Sequence, residues 1–127
     1  MLSTARWYAL ACLLLNATAA QAQTARNGEW LLRQDPAAYT LQLVTVANNE
    51  HAARLQNQHP NAEAFASYRI QSKDQLLYAI TYGVFTSVDA AEQERIAVAQ
   101  FMGLAPADVW VRPMASVQKA IRTTLQL

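Results

Sequence analysis

Gln42, Trp110 and Arg112 are the residues of this chain best suited to chemistry at a surface. Gln42 stands between two leucines in Tyr39-Thr40-Leu41-Gln42-Leu43-Val44, and Trp110 and Arg112 alternate with valines in Val109-Trp110-Val111-Arg112-Pro113. Each run alternates, so each lays one face on a core and turns the other to solvent. If the two strands share a sheet, its open face carries an amide, an indole and a guanidinium. These groups suit a hydroxyl-rich ring ligand or a stacked base: the indole offers a flat apolar platform, and the other two supply directed hydrogen bonds. A buried Gln42 would need up to about four hydrogen-bond partners, so surface exposure is expected.

The elements that must position these residues follow from periodicity. Thr40 to Val46 reads as the first strand, with Leu41 and Leu43 on one face and Thr40, Gln42 and Val44 on the other. Asn48-Asn49 breaks it and can cap a helix from about Glu50 to Gln58, ended by His59-Pro60-Asn61. Phe65 to Gln71 and Leu76 to Tyr82 form a hairpin around Ser72-Lys73-Asp74. Thr86 or Ser87 caps a second helix, which ends at Gly103. Val109 to Arg112 is the fourth strand, and Ala115 to Arg122 an amphipathic C-terminal helix. The fold class is therefore α+β: a split β-α-β-β-α-β arrangement, with a four-stranded antiparallel sheet, two helices on one face and short terminal helices. Leu41, Leu43, Ile70, Ile80, Val111, Leu55 and Val98 are expected to share one core. The opposite face stays open unless a terminal helix or a partner covers it.

The N-terminus has the form of a secretory signal. Arg6 precedes the apolar run Trp7 to Leu15, and Ala20-Gln21-Ala22 places small residues before a cut ahead of Gln23. The run is interrupted by Asn16 and Thr18 and is shorter than the roughly 20 residues that span a bilayer. The expected organisation is a signal peptide over 1–22, a short flexible tail over 23–28 and one domain over 29–127, located in the periplasm. An uncleaved anchor is the lesser reading. Cys12, the sole cysteine, lies in the signal, so the mature chain offers no disulfide and no thiol nucleophile.

Removing the first 22 of 127 residues leaves about 105, which suits one compact domain. The whole chain has 10 basic and 9 acidic residues, and loss of Arg6 balances them. A neutral domain lacks the electrostatic footprint of a non-specific nucleic-acid binder and offers no polybasic membrane patch. His51 and His59 are not side by side on their helix and have no Cys partner, so no metal or other cofactor is expected. No acid pair, Ser-His-Asp set or phosphate loop is legible, which points to a binding module rather than an enzyme.

Several stretches resemble the SPOR (sporulation-related repeat) domains of bacterial cell-division proteins. They are Trp30-Leu31-Leu32-x-Gln34-x-Pro36, Tyr39-Thr40-Leu41-Gln42-Leu43, Tyr78-x-Ile80-x-Tyr82-Gly83-Val84-Phe85-x-Ser87 with Ala91, Trp110-Val111-Arg112-Pro113 and Ser116-Val117-Gln118. The match runs from about Glu29 to Arg122 and rests on aromatic and glycine positions spread over the domain. The resemblance implies binding, on the open sheet face, of peptidoglycan glycan strands stripped of stem peptides at the division septum. It places Gln42 at the strand-one glutamine, Thr45 at a hydroxyl position at that strand's end and Trp110 at the strand-four aromatic. Leu77 stands where related division proteins carry an exposed tryptophan. Arg69 and Arg112 complete the expected glycan-binding set. An envelope protein partner is the alternative, because Val44, Leu77 and Ala79 would make the face more apolar than a sugar site requires.

Overall fold

The computed structural model describes residues 26–125; the expected signal peptide and cleavage site lie outside them. The elements are α1 (Gly28–Leu32), β1 (Tyr39–Val46), α2 (Asn49–Asn57), β2 (Phe65–Ser72), β3 (Gln75–Phe85), α3 (Val88–Met102), β4 (Trp110–Pro113) and α4 (Met114–Leu125). The strands form one antiparallel sheet in the order β2-β3-β1-β4. This is the expected α+β split β-α-β arrangement. Two crossovers, β1-α2-β2 and β3-α3-β4, interleave, and the right-handed preference of such connections sends both helices to the same face.

Local chemistry sets the boundaries. Asn48 Oδ1 accepts from the His51 N–H at 2.7 Å and Ser87 Oγ from the Ala90 N–H at 3.1 Å, each relieving an orphan donor of a helix N-terminus. Gly103, at φ 68°, ends α3 in the left-handed conformation that glycine adopts at least cost. β3 continues to Phe85, beyond the expected Tyr82, because it bends at Gly83 instead of stopping there. A Cβ at Gly83 would lie 2.6 Å from the Phe85 ring. At this bend Thr40 Oγ1 lies 3.2 Å from the Tyr82 carbonyl and 2.7 Å from that of Gly83 and donates to them.

The sheet is packed on both faces. Beneath α2 and α3 lies a core of Leu41, Leu43, Val46, Phe65, Ile80, Tyr82, Val98 and Val109, with Leu55, Val44 and Val111 packed against it. Ile70 departs from the expected set. It lies on the opposite face, in a second core with Leu31, Ala38, Ala66, Tyr68, Ala79, Met114, Val117 and Ile121, which α1 and α4 close. The face expected to be open is therefore partly roofed by the terminal helices. Gln118 ties the roof together: its Nε2 donates to the Leu31 carbonyl at 3.1 Å and to that of Gln34 at 2.8 Å.

The segment expected to be a loose tail is tied down at its end. The Arg26 N–H donates to the Phe65 carbonyl at 3.0 Å, the Ser67 N–H donates to the Arg26 carbonyl at 3.0 Å, and Asn27 Oδ1 caps α1 by accepting from the Trp30 N–H. Backbone pairing along the outer edge of β2 holds these residues, a contact that no local pattern announces.

Candidate functional site

The site begins with strand register. Gln42 pairs with Trp110 and Thr40 with Arg112 across β1 and β4. Directly opposed residues project from the same side of a sheet, so Trp110 and Arg112 share the α1/α4 face with Thr40 and Gln42. Between Gln42 and Thr45 the β1–β3 register shifts, and Leu43 and Val44 both turn toward the first core. This bulge brings Thr45, exposed and paired with Ala79, onto the Gln42 face. Without it, strict alternation would have sent Thr45 to the other side.

Gln42 is half-buried rather than exposed, and its acceptor is saturated. Arg112 Nη1 donates to Gln42 Oε1 at 2.6 Å and to Tyr68 Oη at 2.8 Å, while Tyr68 Oη donates to Gln42 Oε1 at 3.0 Å. A guanidinium only donates, so this ring fixes which end of the Gln42 amide is oxygen and turns its NH2 outward. Burial pushes the Tyr68 phenol above its usual range, and the charge and hydrogen bond of Arg112 offset only part of that. The phenol thus stays protonated at neutral pH and keeps donating. The Arg112 guanidinium carbon also lies 5.4 Å from the centre of the Trp110 ring, a cation–π arrangement. Trp110 itself is 50% exposed.

α4 decides how much of this face is accessible. It starts beside β1, where Met114 N–H donates to Ala38 at 2.8 Å, and packs on β4 and β2. Between α4 and the sheet runs a groove of about 410 Å³, lined by Ile70 and Arg112 on the sheet side and by Ser116, Lys119, Ala120 and Thr123 on the helix side. The predicted residues divide accordingly. Gln42, Trp110 and Arg112 are brought together. Thr45 and Leu77 lie on the same face, Leu77 opposite Ile70 and away from the hydrogen-bonded ring.

Arg69 does not join them. It pairs with Tyr78, which packs against the first core, so it projects from the other face and lines a separate hollow at the β2 edge with Glu29, Asn49 and Ser67. The alternation that places Tyr68 with Gln42 necessarily turns Arg69 away. The apolar patch expected on the open face is also reduced, since Ala79 is fully buried and Val44 packs into the first core.

Tyr68, Ser116 and Lys119 were not among the residues expected at the site, and the fold brings them to it. Tyr68 shares its parity with Ala66 and Ile70 on β2, and its hydroxyl reaches Gln42 across the intervening β3. Nothing local marked the α4 residues.

Among the described residues, no group of three or more His, Cys, Asp or Glu side chains is placed to hold a metal ion, and no helix is long and apolar enough to cross a membrane. No family model matches the chain, and no curated protein or solved structure shows significant similarity to it.

Proposed function

We propose that this chain is an exported, non-catalytic module that binds peptidoglycan glycan strands lacking stem peptides, at the division septum. The observation that carries the reading is the pairing of a half-exposed Trp110 ring with an Arg112–Gln42–Tyr68 ring of hydrogen bonds on one sheet face. A sugar ring packs its C–H face on an indole, and the outward Gln42 amide and Arg112 guanidinium donate to hydroxyl and N-acetyl oxygens. The platform is narrower than a bare sheet. Its boundary along α4 favours a strand without bulky peptides, which would collide with the helix. The resemblance to SPOR domains points the same way, and the signal-like N-terminus supplies the route to the envelope.

The test is co-sedimentation with sacculi before and after amidase treatment. Treated sacculi should retain the protein more strongly, and Trp110→Ala should abolish the difference while thermal stability stays within about 1 kcal/mol of wild type, the norm for exposed sites. Equal retention on both preparations, unaffected by Trp110→Ala, rules the reading out.

A further inference from the structure

Arg112 is a half-buried cation whose contacts are with neutral partners, and among the described residues it forms no salt bridge. Withdrawing a guanidinium from water without a counter-charge is costly, and a well-packed apolar side chain would avoid that cost. The hydrogen bonds to Gln42 and Tyr68 use Nη1 alone, leaving Nε and Nη2 as donors in fixed orientation. The groove beside them carries a second cation, Lys119, and the Ser116 hydroxyl, and no acidic side chain lines it. Thr123 contributes no donor, because its hydroxyl donates to the Lys119 carbonyl at 2.9 Å. The uneven charge is visible in the chain: from Val109 onward it carries Arg112, Lys119 and Arg122 and no acidic residue.

From this we infer that the groove between α4 and the sheet is a carboxylate site, in which Arg112 and Lys119 bind an acid group on the ligand while Trp110 carries the adjoining ring. The inference rests on the glycan reading and makes it narrower. Within that ligand the recognised group is an acid rather than a neutral hydroxyl or acetamido group: the carboxylate is the lactyl group left on N-acetylmuramic acid once its peptide is removed. An amide-linked peptide at that position would cancel the charge and place bulk against α4. A guanidinium with two free, coplanar donors matches a carboxylate bidentately, which gives direction as well as attraction.

The experiment is an NMR titration of the mature protein with three peptide-free tetrasaccharides: alternating N-acetylglucosamine and N-acetylmuramic acid, its lactyl methyl ester, and tetra-N-acetylglucosamine. The free acid should bind at least about tenfold more tightly than the other two, the scale of one charge-assisted hydrogen bond. Arg112→Gln should erase that preference. Lys119→Gln, at an exposed helix position, should reduce it, and added salt should weaken it in the wild type. Equal binding of all three sugars overturns the carboxylate site and leaves the glycan reading standing. Binding of none of them overturns both. A preference for the acid that survives both substitutions places the carboxylate elsewhere and also refutes the inference.

Discussion

The two faces of the sheet are built from opposite materials. Under α2 and α3, β1 and β3 present Leu41, Leu43, Ile80 and Tyr82, and Phe65 stacks edge-to-face with Tyr82 at 4.9 Å between ring centres. Under α1 and α4, the strands present Ala66, Ala79, Thr40 and Thr81, with Tyr68 and Gln42 turned to one another. Large branched and aromatic residues fill the first layer and supply most of its stabilisation through apolar area removed from water. Small residues in the second let the roof lie close to the sheet, and the space left beside α4 carries Arg112, Ser116 and Lys119 in its lining. One face is built to hold the molecule together; the other combines a thinner core with a site.

The largest expected effect is on the first face. Phe65 is fully buried among Tyr82 and His59, so Phe65→Ala should cost about 3–5 kcal/mol in urea denaturation. The second face should respond less. Met114 is also fully buried, but the alanines around it allow partial collapse, so Met114→Ala should cost near the lower end of the ~2–5 kcal/mol range. A cost equal to that of Phe65→Ala would erase the contrast between the layers.

Arg112→Met sharpens the comparison differently. It removes a half-buried charge without a counter-ion, while Gln42 and Tyr68 can still bond to each other. Stability should therefore change by no more than about 1 kcal/mol in either direction. A loss of several kcal/mol would make the cluster part of the scaffold and remove the reason to assign it to ligand.

The smallest effect is a pH dependence confined to the first face. His59 sits edge-on against Phe65, Tyr82 and Phe101, its Nδ1 accepts from the Asn61 N–H at 2.9 Å, and burial lowers its pKa below the ordinary 6.5. The folded state thus favours neutral imidazole, and the unfolded chain takes up the proton first as pH falls. The contribution of His59 is present above the unfolded value and is lost as pH drops from there toward the folded one. Denaturation midpoints at pH 7.5 and 5.5 should fall further apart in the wild type than in His59→Gln. The same gap in both proteins would mean that the imidazole environment is not coupled to folding.

Element order and type were legible in the residues. Alternation in Thr40–Val46, the polar break at Ser72-Lys73-Asp74, the caps Asn48 and Ser87 and the stop at Gly103 are local features, and each acts through the few residues beside it. That Gln42, Trp110 and Arg112 share one face was legible too, given that the two alternating strands lie in one sheet. Tertiary structure decided what alternation cannot: the bulge that turns Val44 inward and Thr45 outward, the opposed faces of Tyr68 and Arg69 relative to the site, and the path of α4 over the sheet. A strand's pattern states that it has two faces, but not which one meets which helix. That choice is a competition among buried areas distributed along the whole chain, and it made the face holding Gln42 a groove beside Lys119 instead of an open plain.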